Sequence, residues 1–121
     1  MGQTVLYIED NPDNVLLVRR ALEARGYTFL WAPNGLQGLE MVRAQQPDLI
    51  LLDINLPDID GYEVARRLRS GGVTQPIIAI TANALKGDAE KVLAAGCDVY
   101  MSKPINIREL WSRVTTYLPA S

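Results

Sequence analysis

The sequence contains no histidine, one cysteine and no long apolar run, and each absence excludes a class of protein. Without histidine among its 121 residues, the chain can form neither a histidine-based nucleophile relay nor a histidine-ligated metal site. The single cysteine, Cys97, cannot form an intrachain disulfide, which favours a reducing compartment. No apolar run approaches the roughly 20 residues that span a bilayer, and the N-terminus lacks the pattern of a secretory signal. We therefore expect a cytoplasmic protein without a membrane partner.

The composition is that of one ordinary globular domain. Hydrophobic residues make up 48% of the chain and charged residues 21%, which excludes a disordered or fibrous protein. A formal net charge of −2 at pH 7 argues against a surface that binds nucleic acid. The length suits a single domain over residues 1–121, with no output domain attached.

Short β-prone or apolar runs alternate with stretches of helical periodicity along the chain. The strands predicted from these runs are 4–8, 27–31, 49–52, 76–80 and 99–101. Side chains that can cap a helix stand before four of the helical stretches, namely Asn11, Asn34, Asp60 and Asn106. A weaker helix is predicted over about 88–95. Five strands alternating with five helices predict an α/β fold, a parallel sheet with helices on both faces.

Polar side chains stand where four of these strands end, and in a parallel sheet the carboxyl ends share one edge, where ligands bind. They are Glu9 and Asp10 after the first strand, Asp53 after the third, Thr81 after the fourth and Lys103 after the fifth. Each of them alone would suit a solvated loop. Five on one edge of so apolar a sheet indicate a functional site.

Three neighbouring carboxylates need a cation. Two carboxylates about 4 Å apart repel by about 4 kcal/mol at an effective dielectric near 20, so one must take up a proton or a cation must lie among them. Mg²⁺ prefers such oxygen ligands and commonly shares them with a phosphoryl group, whose oxygens Lys103 and Thr81 would contact. A carboxylate can itself accept that group as an aspartyl phosphate. Asp53 is the preferred acceptor because its strand lies between the acidic pair and the Thr81–Lys103 pair.

With these residues in place, the chain resembles the receiver (CheY-like) domain of two-component response regulators over essentially its whole length. The matching features are Glu9-Asp10, Asp53 with the following residues to Pro57, Gly61, Thr81-Ala82 and Lys103-Pro104. The resemblance implies a flavodoxin-like, doubly wound sheet with strand order 2-1-3-4-5. The stretches 80–84 and 96–98 are similar to receivers of hybrid kinases and of stand-alone regulators.

The resemblance also implies a role for each site residue. Asp53 would accept a phosphoryl group from the phosphohistidine of a sensor histidine kinase or histidine phosphotransfer protein. Asp10, Asp53 and the backbone carbonyl of Asn55 would bind Mg²⁺ directly, while Glu9 would act mostly through water. Lys103 would bond to the phosphoryl group, and its bond to Pro104 would be cis.

A switch in the protein's surface is implied in the same way. In similar domains the hydroxyl at Thr81 moves toward the phosphoryl group and the ring at Tyr100 fills the vacated space, which changes the surface of the fourth helix, fifth strand and fifth helix for a downstream protein. Asn55 and Asn83 would tune hydrolysis of the acyl phosphate. Such a module is not an enzyme beyond its own phosphorylation and slow dephosphorylation, and is a monomer or a weak dimer when phosphorylated.

Two other classes of function remain open. A small phosphatase of the haloacid-dehalogenase type would use an aspartate nucleophile, but it usually places that nucleophile after the first strand with a second aspartate two residues later, where this chain has Asn55. A flavodoxin-like cofactor carrier would need a phosphate-binding loop after the first strand, where Glu9-Asp10 would repel an anion.

Several further residues are predicted to serve the fold alone. Trp31 and Trp111 are expected to be packed, and Cys97 to be inert. Three arginines of the third helix are expected to form a solvated face, namely Arg66, Arg67 and Arg69. In the second helix the predicted apolar face is Leu36, Leu39 and Val42, with Met41 outside it.

Overall fold

The computed structural model describes residues 3–82 and 87–119, in which strands and helices alternate. The strands are β1 (Thr4–Ile8), β2 (Thr28–Ala32), β3 (Leu49–Asp53), β4 (Ile77–Thr81) and β5 (Val99–Ser102). The helices are α1 (Pro12–Glu23), α2 (Gly35–Gln45), α3 (Gly61–Ser70), α4 (Asp88–Ala95) and α5 (Ile107–Tyr117). The predicted alternation is confirmed, with β2, β3, β4 and β5 each ending one residue later than predicted.

All strand pairs are parallel, and the sheet order is β2-β1-β3-β4-β5. The flavodoxin-like strand order that the resemblance implied is thus confirmed. Because β1 lies directly beside β3, the residues that follow these two strands emerge as neighbours. β4 and β5 continue the same edge on the far side of β3.

Helices cover both faces of the sheet. On one face, residues of α1 and α5 pack against alternate strand positions, and on the other α2, α3 and α4 pack against the remaining positions. All five residues of β3 and of β4 are buried, as expected for strands whose sequence is apolar without alternation. Asp53 and Thr81 are the last residues of these two strands, so the buried strands fix their positions at the edge of the sheet.

Side-chain caps fix where four helices begin. Asn11, Asn34, Asp60 and Asn106 each accept a backbone N–H from the first turn of the helix that follows, which satisfies donors that the helix cannot pair itself. The helix α4 begins instead after Gly87, which has a left-handed conformation. Within the described residues, no helix is both long and apolar enough to cross a membrane.

The apolar face predicted for α2 is partly wrong. Leu36 is 53% exposed, whereas Met41 is half-buried and packs against the core. The helix instead buries Gly35 and Gly38. A Cβ at Gly38 would come within 2.5 Å of Ile8 Cδ1 in β1, and one at Gly35 within 2.7 Å of Ile59 Cγ1 in the loop after β3. Close backbone approach at two glycines therefore sets the buried face, which a count of large apolar residues does not detect.

The prediction of a solvated arginine face on α3 is correct for two residues and wrong for the third. Arg66 and Arg67 are exposed and form ion pairs with Glu63. Arg69 is half-buried, and its guanidinium donates to the carbonyl oxygens of Gly96, Val73 and Gln75. The reason is its position in the last turn of α3, from which the side chain reaches the amino ends of β4 and β5.

Candidate functional site

The carboxylates predicted to meet at the sheet edge do so. Glu9 and Asp10 follow β1, Asp53 ends β3, and one carboxylate oxygen of each lies within 4.8 Å of the others. Glu9 and Asp53 are buried, whereas Asp10 is exposed to solvent. The cluster therefore has two acidic groups set into the protein and a third at its mouth.

Lys103 supplies the positive charge of this edge. Its Nζ lies 3.1 Å from Asp53 Oδ1 and 3.8 Å from Glu9 Oε1. Its backbone N–H donates to the Thr81 carbonyl oxygen over 2.9 Å, which aligns the end of β5 with the end of β4. The Lys103–Pro104 peptide bond is cis, as the resemblance implied.

Glu9 is held by groups that surround its side chain completely. Its Oε1 accepts hydrogen bonds from the Tyr7 hydroxyl over 3.1 Å and from Asn14 Nδ2 over 2.8 Å, while its Oε2 accepts the backbone N–H of Asp10. Burial raises the pKa of Glu9, and the adjoining Asp53 carboxyl raises it further, against the opposing effects of Asn14 and Lys103. A buried carboxyl beside another carboxyl thus favours a bound proton unless a further cation is present.

These donors fit Mg²⁺. Three carboxylates face one ammonium group, so a divalent cation would complete the charge balance. The exposed Asp10 carboxylate at the mouth of the cluster suits an ion that retains several water ligands. A bound divalent ion would also favour the ionised form of Glu9, because the charge of the ion exceeds that of any neighbouring side chain.

The loop after β3 is anchored to the end of β3 and to α2. The Asn55 N–H donates to Asp53 Oδ1 over 3.2 Å, which places Asn55 directly beside the cluster. Further along, the Asp58 carboxylate accepts the N–H groups of Gly35 and Leu36, each over 2.8 Å. Burial opposes ionisation of Asp58, but these backbone donors outweigh it and lower the pKa of Asp58. The loop is therefore braced at both ends.

Thr81 is buried at the end of β4, and its hydroxyl donates to Asp88 Oδ2 over 2.8 Å. Asp88 lies in the first turn of α4, and the hydrogen bond from Thr81 lowers the pKa of Asp88. The Thr81 hydroxyl, which is expected to contact a phosphoryl group, is thus hydrogen-bonded to α4, the helix whose surface is expected to change. Asn83, the second predicted tuning residue, lies outside the described residues.

Tyr100 shares a face of the sheet with Thr81. The register pairs Tyr100 with Ala79 and Ser102 with Thr81, and residues two apart on a strand point to the same side. Tyr100 is half-buried and packs on the α2–α3–α4 side of the sheet. The two residues predicted to form the switch are therefore neighbours across β4 and β5, on the side that α4 covers.

Four residues that shape this edge were not predicted from the sequence to do so: Asn14, Trp31, Asp58 and Asp88. Trp31 was predicted to be packed, but it is 42% exposed, and its indole N–H donates to the Glu9 carbonyl oxygen over 2.6 Å. Its position beside the end of β2, at the same edge as the other site residues, was the available signal. Asn14 and Asp88 each lie in the first turn of a helix that begins at this edge. The sequence does not show that their side chains are close enough to bond to Glu9 and Thr81.

Comparison with known proteins agrees with this geometry. Residues 5–115 match the family model of the response regulator receiver domain. The polar-differentiation response regulator DivK of Brucella anthropi is 41% identical to this chain over 120 residues, covering 98% of each sequence. Nothing in these matches supports the haloacid-dehalogenase alternative.

Solved structures show the same fold. The receiver domain of sensor histidine kinase PA1611 from Pseudomonas aeruginosa is 38% identical, with a TM-score of 0.90 over 98% of both chains, and holds a magnesium ion in its active-site cleft. A chain from the Saccharomyces cerevisiae co-crystal of a histidine phosphotransfer signalling protein with the receiver domain of its downstream response regulator has a TM-score of 0.89 at 27% identity, covering 99% of this chain and 92% of that one. This chain accordingly belongs to the response regulator receiver domains, the aspartate-phosphorylated signalling modules of two-component systems.

Proposed function

We propose that Asp53 is the phosphoacceptor of this receiver domain. The observation that carries the assignment is its position: Asp53 belongs to the acidic cluster and lies nearer than Glu9 to the Lys103 ammonium group, at 3.1 Å against 3.8 Å. A group at that point has metal ligands on one side and a phosphate-binding cation on the other. Phosphoryl transfer depends mainly on such positioning and charge neutralisation.

The other site residues have distinct parts in the transfer. Asp10, Asp53 and the Asn55 carbonyl would hold Mg²⁺, with Glu9 acting through water, and the bound ion would neutralise charge on the phosphoryl oxygens. As the P–N bond of the donor phosphohistidine breaks, an Asp53 Oδ–P bond forms and the imidazole nitrogen keeps the electron pair. Lys103 then moves from the Asp53 carboxylate to a phosphoryl oxygen, and Asn55 and Asn83 tune hydrolysis.

The switch requires Thr81 to change partners. At rest its hydroxyl donates to Asp88 in α4, and phosphorylation adds about −1.5 to −2 charge at Asp53, a stronger acceptor on the neighbouring strand. Transfer of this hydrogen bond releases α4 from β4, and Tyr100 moves into the vacated space on the same face. The output surface is α4, β5 and α5.

We propose that residues 1–121 act as one receiver unit of the stand-alone or hybrid-kinase type in the cytoplasm. The phosphoryl donor is a sensor histidine kinase or a histidine phosphotransfer protein, and the output partner is a protein rather than nucleic acid or membrane. The net charge of −2 is in keeping with that choice. The domain itself is a monomer or associates weakly when phosphorylated, and it catalyses only its own phosphorylation and dephosphorylation.

The test is an NMR titration with beryllofluoride, and separately with acetyl phosphate, in the presence of Mg²⁺. We expect shifts at Thr81, Asp88 and Tyr100, and we expect Asp53→Asn to abolish them. Asp48→Asn is the matched control, because Asp48 accepts the Thr4 N–H at the opposite end of β1 and should leave the response intact. A wild-type response from Asp53→Asn would show that another group accepts phosphate.

A further inference from the structure

Trp31 holds the peptide group that joins two members of the acidic cluster. Its indole N–H donates to the Glu9 carbonyl oxygen over 2.6 Å. The N–H of the same peptide group, which belongs to Asp10, donates to Glu9 Oε2 over 3.1 Å. Because a peptide group is planar, bonds to its oxygen and its nitrogen together fix its orientation, and with it the position of the Asp10 Cα.

Asp10 depends on this backbone anchor more than the other two carboxylates do. The Glu9 side chain is bonded to Tyr7 and Asn14, and Asp53 contacts Lys103. Among residues 3–82 and 87–119, by contrast, the Asp10 carboxylate accepts no hydrogen bond. Its location at the mouth of the cluster is thus set by the main chain that carries it.

Core packing does not account for Trp31. The residue lies near the end of the edge strand β2, and 42% of its surface is exposed. At the end of the β1–β2 pairing, the Glu9 N–H donates to the Ala32 carbonyl oxygen over 3.0 Å. The indole adds one bond beyond it, at the point where the chain after β1 turns toward α1.

We propose that Trp31 is a positioning residue for the metal site: its indole N–H orients the Glu9–Asp10 peptide so that the Asp10 carboxylate meets Mg²⁺. The proposal rests on the metal site of the proposed function and adds to it a residue from β2, a strand that contributes no ligand. Groups that orient metal ligands typically change metal affinity by about 10- to 100-fold. Because Trp31 acts through the backbone, we expect an effect of about tenfold, at the lower limit of that range.

The chain offers a matched control for the experiment. Trp111 also donates its indole N–H to a backbone carbonyl, that of Ala21 in the second half of α1, over 2.8 Å. Trp31→Phe and Trp111→Phe therefore each remove one indole–carbonyl bond and keep an aromatic ring. Calorimetric titration with Mg²⁺ should show about tenfold weaker binding to Trp31→Phe and wild-type binding to Trp111→Phe. Equal affinity of Trp31→Phe and the wild type would overturn the proposal, whereas a wild type that binds no Mg²⁺ would overturn the proposed function instead.

A second measurement needs no variant. If the indole bond favours Mg²⁺ binding, then Mg²⁺ must favour the bond by the same factor, because coupling between two equilibria is reciprocal. We expect saturating Mg²⁺ to slow hydrogen exchange of the Trp31 indole N–H, as followed by NMR, and to leave that of Trp111 unchanged. An unchanged exchange rate at Trp31 would reject its role even if Trp31→Phe failed to fold.

Discussion

Lys103 lies at the edge formed by the carboxyl ends of the strands, and Arg69 lies at the opposite edge, formed by their amino ends. Their side chains are almost equally exposed, at 23% and 25%, but their surroundings differ. Arg69 donates to three backbone carbonyl oxygens and to Asp98. Asp98 in turn accepts the Ile77 N–H over 2.8 Å. At this edge one cation meets one carboxylate, and the remaining donors meet neutral acceptors.

The edge that holds Lys103 is arranged in the opposite way. One ammonium group faces the carboxylates of Glu9, Asp10 and Asp53, so the local charge is unbalanced within the protein. Removing one partner of an internally matched pair destabilises a fold because the other charge is left buried, whereas a group of unmatched charges favours a ligand that completes the balance. The comparison therefore assigns the Arg69 edge to structure and the Lys103 edge to function.

Removing the cation from the functional edge should have the largest effect. Lys103→Met takes away the group that we propose meets the phosphoryl oxygens, and loss of one such donor typically costs about 100- to 1000-fold in rate. We expect acyl phosphate formation from acetyl phosphate, measured with Mg²⁺ present, to fall by about this factor. Mg²⁺ affinity should be unchanged or higher, since the ammonium group no longer competes for Asp53. A variant phosphorylated at the wild-type rate would remove Lys103 from the mechanism.

Removing the cation from the structural edge should instead affect stability. Arg69→Met leaves three carbonyl oxygens without their side-chain donor and Asp98 without its cation, and we expect the free energy of unfolding in urea to fall by about 2 to 3 kcal/mol. Arg67→Met is the control on the same helix, because Arg67 is exposed and forms an ion pair with the exposed Glu63, so its loss should cost less than about 0.5 kcal/mol. Mg²⁺ affinity should not change in either variant. Similar losses in the two variants would show that the Arg69 contacts do not stabilise the fold.

Cys97 lies beside Asp98 at the structural edge, and its thiol should make the stability of the fold depend on pH. Burial raises the pKa of its thiol to about 12 from an ordinary 9.0. The fold therefore holds the neutral thiol, and the stability that this provides is lost as pH rises above about 9, where the unfolded chain ionises. Between pH 8 and pH 10 the wild type should lose about 1 kcal/mol more than Cys97→Ala, as measured by urea unfolding. Equal losses would mean that the thiol is not shielded from water.

The sequence predicts the members of the functional edge because topology alone brings them together. A parallel sheet places the residues at the carboxyl ends of β1, β3, β4 and β5 side by side. Glu9, Asp53 and Lys103 can therefore be assigned to one site from their positions in the sequence. The apolar runs of β3 and β4 identify the strands that carry them. The same reasoning cannot show that Arg69 spans from α3 to β4 and β5, since this depends on how far one flexible side chain reaches.

Contacts between loops and helices were also beyond prediction. Asp58 lies in the loop after β3, and its carboxylate accepts the first backbone N–H groups of α2, a contact between distant parts of the chain. Likewise, the orientation of α2 depends on the close approach of Gly38 to Ile8, and the bond from Trp31 to Glu9 depends on a backbone carbonyl. A pattern of residue types records none of these distances, so the supporting residues appear only in the structure.

The smallest expected effect tests whether the functional edge costs stability. In the absence of Mg²⁺, Asp10→Asn removes a carboxylate that repels the neighbouring Asp53 carboxylate, so we expect it to raise the free energy of unfolding by about 0.5 to 1 kcal/mol. Asp13→Asn, three residues later in the first turn of α1, should instead lower it by about 0.3 to 1 kcal/mol, because an acidic side chain there favours the helix dipole. Adding Mg²⁺ should reverse the order of Asp10→Asn and the wild type, since only the wild type retains the full set of ligands. Urea unfolding with and without the ion measures both steps, and a destabilised Asp10→Asn in metal-free buffer would show that these carboxylates do not repel one another appreciably.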